Sequence, residues 1–154
     1  MSTFFYQTRI GKDGVPFTAI KLRTMPDSTI THREADCTKF GKWLRRWSLD
    51  ELPQLWNILT GDMAMIGPRP MLPHQAKQLI GWQRTRLLVK PGITGYAQVM
   101  GRNAIPWSKR IELDVWYVEH RTWQLDCWIL WRTLIVWWTH EGLYGPKGVN
   151  EDFT

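Results

Sequence analysis

The chain has 154 residues, enough for one domain and too few for two of ordinary size. Apolar residues make up 44% and charged residues 22%, which excludes a disordered tail and allows a buried core. Lys and Arg number 20 against 14 Asp and Glu, and the resulting charge of +6 favours an anionic partner: nucleic acid, anionic lipid or a phosphorylated substrate.

Phe4 to Arg9 and Phe17 to Leu22, separated by Gly11-Lys12-Asp13-Gly14, read as two strands joined by a Gly-rich turn. From Lys39 the period changes. At 100° per residue Phe40, Trp43, Leu44 and Trp47 share one narrow face, with Lys39, Lys42, Arg45 and Arg46 opposite, so an amphipathic helix is predicted that suits either a core or a lipid interface. Ser48-Leu49-Asp50-Glu51 matches a capping box ahead of Leu52, Leu55, Trp56, Ile58 and Leu59, and Pro53 places the N-cap of this second helix at Asp50 or a near neighbour. Gly61-Asp62 closes it, Met63 to Ile66 fits a short strand, and Gly67-Pro68-Arg69-Pro70 is a stiff extended loop.

Pro73 is expected to start a helix running to about Val89. Pro91-Gly92-Ile93-Thr94-Gly95 reads as a turn into a strand over Tyr96 to Met100. Ser108 is placed to cap a helix through Tyr117, and a last helix from about Gln124 to His140 is apolar almost all round. The expected fold class is therefore α+β, a helix-dominated single domain over residues 1–154 with an N-terminal β-hairpin or small sheet and amphipathic interfacial helices.

Eleven Trp against 4 Tyr and 5 Phe exceed what core packing asks for, and Trp suits the boundary between water and an apolar phase. The longest apolar runs, Trp128 to Trp131 and Leu134 to Trp138, fall far short of the ~20 residues that span a bilayer. The opening residues Met1 to Gln7 lack the n-region and h-region of a signal peptide, which predicts a chain that stays cytoplasmic. Cys37 and Cys127 form neither a disulfide framework nor a CxxC pair and suit a reducing compartment.

No G-x-S-x-G, P-loop, G-x-G-x-x-G or H-E-x-x-H pattern occurs, and His32, His74, His120 and His140 have no metal-ligand spacing. What stands out is the acid pair Asp50-Glu51, with Arg45 and Arg46 before it and Arg69 after it. One carboxylate could act as nucleophile or base while the other holds a divalent metal, with arginine forks binding phosphate oxygens, an arrangement suited to a pyrophosphate substrate. Acids in a first helical turn are also favoured by the helix dipole whatever the function, so on spacing alone both readings stand. Arg69 between two prolines is either a surface arginine or a phosphate clamp with little backbone entropy left to lose. Arg102-Asn103 reads first as turn chemistry, and Lys21 and Arg23 as a solvated sheet face.

Taken together, Lys21-Leu22-Arg23-Thr24-Met25, Ser48 through Asn57, Gly61-Asp62-Met63 and Gly67-Pro68-Arg69-Pro70 resemble the bacterial sugar transferase family. Its members are the monotopic phosphoglycosyl transferases, or polyprenyl-phosphate sugar-1-phosphate transferases. Lys90 through Gly95, Ala97-Gln98-Val99, Gly101-Arg102-Asn103 and Leu113 through Val118 continue the likeness in order, so it covers nearly the whole chain. The resemblance implies transfer of a sugar 1-phosphate from a UDP-sugar to undecaprenyl phosphate, with release of UMP, at the cytoplasmic face of the bacterial inner membrane. Such a step initiates exopolysaccharide, capsule, O-antigen or glycoprotein glycan assembly. It implies Asp50 as the nucleophile that forms a covalent phosphosugar, Glu51 as the Mg²⁺ ligand, and Arg45 and Arg69 as phosphate-binding groups. Lys21, Arg23, Arg102 and Asp114 fall on family positions assigned here to substrate or phosphate binding. The sequence departs from the family in beginning just after the position of its membrane-dipping hydrophobic helix, and in having Met100 where Asn is frequent. Two other expectations are weighed against the transferase: a peripheral membrane-binding fragment with little or no activity, and a basic nucleic-acid-binding domain. The latter has no RNP, helix-turn-helix or zinc-finger pattern behind it, so nucleic acid is not an expected partner. Neither the sugar nor the oligomeric state is readable from the sequence.

Overall fold

A computed structural model describes residues 3–25 and 37–139. Strands β1 (Phe4–Ile10) and β2 (Pro16–Leu22) form an antiparallel hairpin in register from Phe4 opposite Leu22 to Ile10 opposite Pro16. The turn closes through Gly11 N–H donating to the Val15 carbonyl at 2.8 Å, with Asp13 and Gly14 at positive φ, as the Asp-Gly pair predicts. Alternation along β2 buries Phe17 and Ala19, which pack with Met63, Ile58 and Ile93. The exposed backbone edge of β2 is held by one buried amide: Asn57 donates to the Thr18 carbonyl at 2.8 Å and accepts from Ile20 N–H at 3.2 Å.

Helix α1 (Lys39–Arg46) starts at Thr38, whose hydroxyl accepts from Gly41 N–H at 2.9 Å. Its predicted apolar face is real but divided: Leu44 is buried, while Phe40 and Trp43 stack on each other in solvent. The expected capping box at Ser48 does not form. Ser48 lies in the left-handed region at φ 52, its N–H bonds back to Arg45, and Asp50 falls inside a 3-10 turn, Leu49–Gln54, instead of capping a helix. The Glu51 carboxylate that would complete the box is bound by two cations, a stronger pairing than a bond to a neutral N–H. Only then comes α2 (Leu55–Leu59), ended at Gly61 with φ +88, followed by β3 (Ala64–Ile66).

Three further expectations are corrected. The long helix from Pro73 stops after α3 (Pro73–Lys77), and a 3-10 stretch, Gly81–Leu88, replaces its second half. Gly81 at φ +46 breaks the run, and Gln83 accepts the Ile80 N–H that a continuous helix would use, as Gln75 accepts that of Leu72 ahead of α3. The strand lies earlier than predicted, at β4 (Gly92–Thr94), parallel to β3, and Tyr96–Met100 is a short helix, α4. Gln98 donates to the Ile93 carbonyl at 2.8 Å, which secures the helical path right after the strand. Helix α5 (Trp107–His120) starts from Pro106, so Ser108 sits in its first turn and caps nothing.

Helix α6 (Trp123–Thr139) follows the predicted last helix, while His140 lies outside the described residues. Tyr117 donates to Asp126 at 2.6 Å and ties α5 to α6. Val99, Tyr117, Ile129 and Val136 form one core cluster, and Met71, Leu79, Ile111 and Val115 another. Between β3 and β4, Gly67, Gly92 and Gly95 meet backbone to backbone: a Cβ on Gly92 would sit 2.2 Å from the Gly67 nitrogen, and one on Gly95 2.2 Å from the Gly67 oxygen. Among the described residues no helix is long and apolar enough to cross a membrane. The fold is α+β, as expected.

Candidate active site

The small N-terminal sheet and the 3-10 turn bring the acid pair against the end of β2. Lys21 Nζ lies 2.9 Å from Glu51 Oε1, and Arg69 Nη2 reaches the same oxygen at 2.7 Å. Glu51 Oε2 has only the longer contact from Arg69 Nη1, at 3.5 Å. The Asp50 carboxylate, half-buried beside it, makes no hydrogen bond or ion pair among the described residues. Lys21, Arg45 and Arg69 nevertheless act on it electrostatically.

Two adjacent carboxyls therefore diverge. Burial would raise Glu51, but the charges of Arg69 and Lys21 and their hydrogen bonds overcome it and hold the group well below the ordinary carboxylate range. Burial and the neighbouring Glu51 charge raise Asp50, against the opposing pull of Lys21, Arg45 and Arg69. Burial lowers Lys21, with Glu51 working the other way. Glu51 is thus a fixed anion in a cationic clamp, and Asp50 an unengaged carboxylate whose free oxygens face cations without being consumed by them.

Arg45, in the last turn of α1, donates from Nε to Thr24 Oγ1 at 2.9 Å, which steadies it near Asp50. Arg102, after α4, donates to Ser48 Oγ at 3.2 Å. Both ends of that bond are strained, Ser48 at φ 52 and Arg102 at φ 48, and this places two left-handed non-glycine residues beside the acid pair. Arg23 lies one residue past β2, bonded across the hairpin through its N–H to Thr3 and its guanidinium to Phe4, and is not among the principal charges acting on Asp50 or Glu51. Asp114 is not brought to the acid pair at all: it is 3% exposed in α5 and ion-paired at 2.7 Å with Arg86. Ser48 as an acceptor and Arg86 as a buried cation were not singled out in the sequence. Arg86 could have been, since it stands beside Leu87 and Leu88 in a segment that follows the buried Leu79 and packs Leu87 against the same cluster.

Among the described residues no three His, Cys, Asp or Glu side chains cluster closely enough to form a metal cage. Asp50 and Glu51 do fit the other common arrangement for Mg²⁺, one or two carboxylates completed by substrate phosphate oxygens, and Glu51 Oε2 is the least engaged oxygen of its carboxylate.

Comparison with known proteins agrees with the residue pattern. The profile of the family described as bacterial sugar transferase matches residues 1–140. An uncharacterized sugar transferase of Bacillus subtilis (strain 168), EpsL, is 46% identical over 157 residues, covering 98% of this chain and 78% of that protein. The UDP-glucose:undecaprenyl-phosphate glucose-1-phosphate transferase of Escherichia coli (strain K12) is 39% identical over 155 residues, covering 91% of this chain and 33% of its own length. The UDP-galactose-lipid carrier transferase of Erwinia amylovora is 33% identical, with 88% of this chain and 33% of the relative covered. This chain therefore spans most of the Bacillus protein and only a third of the other two. It belongs to the bacterial sugar transferase family.

Proposed function

We propose that the protein transfers a sugar 1-phosphate from a UDP-sugar to undecaprenyl phosphate, releasing UMP, by way of a covalent phosphosugar on Asp50. The names of the Escherichia and Erwinia relatives support the reaction class. The observation that carries the nucleophile is the contrast inside the acid pair: Glu51 is clamped by Lys21 and Arg69, while the Asp50 carboxylate has no partner among the described residues.

In the first step an Asp50 oxygen attacks the phosphorus that bears the sugar, and the bond from that phosphorus to the bridging oxygen breaks, so UMP leaves with the bond's electron pair. In the second, an oxygen of the polyprenyl phosphate attacks the same phosphorus and frees the Asp50 carboxylate. Arg69 and Arg45 hold phosphate oxygens, lowering the repulsion between two anions as they approach. Lys21 and Arg69 keep Glu51 ionised. Glu51, through Oε2 together with substrate oxygens, would hold Mg²⁺, which supplies charge neutralisation on the diphosphate when bound. The chemistry takes place on the cytoplasmic surface of the membrane, where the lipid substrate lies and where the exposed Trp side chains can rest without any helix crossing.

The test is a burst measurement. UDP-sugar added without polyprenyl phosphate should release about one UMP per active site and add a phosphosugar mass to the protein, and Asp50→Asn should abolish both. A normal burst from Asp50→Asn, or UMP release with no covalent adduct, would favour direct transfer.

A further inference from the structure

The loop that carries Arg69 is held at three successive carbonyls. Gly92 N–H donates to Pro68 at 2.9 Å, Arg9 Nη1 to Pro70 at 3.2 Å, and Arg86 Nη2 to Arg69 itself at 2.9 Å. Pro68 and Pro70 fix φ on either side, so these three bonds leave the Arg69 backbone no soft direction. The same Arg86 nitrogen lies 2.7 Å from Asp114 Oδ2, with both side chains buried. Asp114 stands in α5 between Ile111 and Val115, two members of the apolar cluster that also contains Met71 and Leu79. As a stabilising device the pair is poor: it desolvates two charges, and Arg86 Nη1 finds no hydrogen-bond partner. What it does accomplish is to hold a guanidinium against the Arg69 carbonyl, at the opposite end of the residue from the fork that grips Glu51.

We infer that Arg86 and Asp114 are positioning residues: Asp114 orients Arg86, Arg86 clamps the Arg69 carbonyl, and Arg69 is thereby aimed at the acid pair, so that Asp114 acts on the reaction without touching substrate. This rests on Arg69 binding the diphosphate, as proposed above. Arg69 is the most exposed member of the Glu51 clamp, its side chain 47% accessible, so its aim depends on how firmly its backbone is held.

Replacing both partners with apolar residues of similar bulk, Arg86→Met with Asp114→Leu, suits the surrounding Met71, Leu79, Ile111 and Val115 and avoids stranding one buried charge. In an Asp50→Asn background, which binds without turnover, calorimetry with UDP should show affinity lowered about tenfold or more by the double replacement. Adding Arg69→Ala should then cost little further. Hydrogen exchange should quicken in the amides of residues 66–72 and stay unchanged in the β1–β2 hairpin. A folded double variant with unaltered UDP affinity and unaltered loop exchange overturns the inference, as does a loss that multiplies fully with that of Arg69→Ala. If the double variant does not fold, Asp114→Asn keeps an acceptor for Arg86, and a severalfold loss of UDP affinity with faster loop exchange is expected, no change in either being fatal. Should the parent protein bind no UDP, the proposed function falls, while the loop exchange still decides whether Arg86 and Asp114 hold Arg69.

Discussion

Asp50 and Glu51 are neighbours in one 3-10 turn, yet folding treats their charges in opposite ways, and two predictions follow from the sign of each shift. The folded state raises Asp50 above its ordinary value, so the stability this group contributes is present at low pH and lost as pH rises through its folded value. Asp50→Asn should therefore keep or raise the melting temperature at pH 7.5 while abolishing the UMP burst. The burst of the unaltered protein should decline on acidification at a higher pH than an aspartate in water would give, because the proposed nucleophile must be ionised. Glu51 is depressed, so its contribution is present above its unfolded value and lost as pH falls through the lower folded one. Glu51→Gln should cost about 1–3 kcal/mol in urea unfolding at pH 7, since it leaves the largely buried Lys21 without its anion, and the deficit should shrink towards pH 3. Full activity in excess EDTA would take Glu51 out of any metal-holding role.

At the scale of elements, the site hangs on a turn that local sequence rules misread. Ser48-Leu49-Asp50-Glu51 has the letters of a capping box, and the outcome is decided by Lys21, thirty residues earlier, and Arg69, eighteen later, which claim the glutamate. Propensity rules carry no information about such distant competitors. The hairpin, by contrast, was legible because its signal is local: the Asp13-Gly14 turn sits between two short runs rich in aromatic and β-branched residues. Tyr96–Met100 failed for a related reason, since a short, mostly apolar run of five residues does not separate a strand from one helical turn, and the preceding Gly92–Thr94 had already taken the pairing with β3. The acid pair and its arginines were identifiable by residue type, but which carboxylate is clamped and which is unengaged depends on tertiary approach. The left-handed Ser48 offers an element-scale test. Ser48→Gly should fold at least as stably but lose the oxygen that receives Arg102, whereas Ser48→Val should lose about 1–2 kcal/mol because a β-branched side chain is crowded at φ 52. Urea titration of the two variants checks this difference.

For the whole molecule the distribution of aromatic surface is the dominant feature. On α6, Trp123, Trp131, Leu134 and Trp138 recur at helical spacing and are exposed, while Ile129 and Val136 face the core. Helix α1 adds Phe40 and Trp43, and the two helices meet where the Trp137 indole donates to the Trp47 carbonyl at 2.7 Å. Trp47 and Trp137 pack edge to face there, so of the apolar face predicted for α1, open to either a core or a lipid role, Trp47 belongs partly to the fold. The informative replacements are thus Phe40, Trp43, Trp131 and Trp138, each to Ser. Together they should shift the protein from pelleted anionic vesicles to the supernatant without lowering its melting temperature, and the unaltered protein should bind vesicles less as salt rises. Unchanged sedimentation would assign this surface to something other than lipid.

The close meeting of Gly67, Gly92 and Gly95 has a practical consequence for anyone seeking to alter which sugar the protein accepts. Where these glycines meet, peptide group lies against peptide group, and a Cβ on Gly67 would fall 2.4 Å from the Lys90 oxygen. Side chains other than the acid pair, its cations and the Arg9, Arg86 and Asp114 groups behind Arg69 can therefore be varied while the approach of β3 to β4 stays set by main-chain dimensions. A library that leaves positions 67, 92 and 95 untouched, together with Arg9, Arg86 and Asp114, varies the pocket on a constant frame; one that includes them mixes changes of pocket with changes of frame, and its inactive members report on neither.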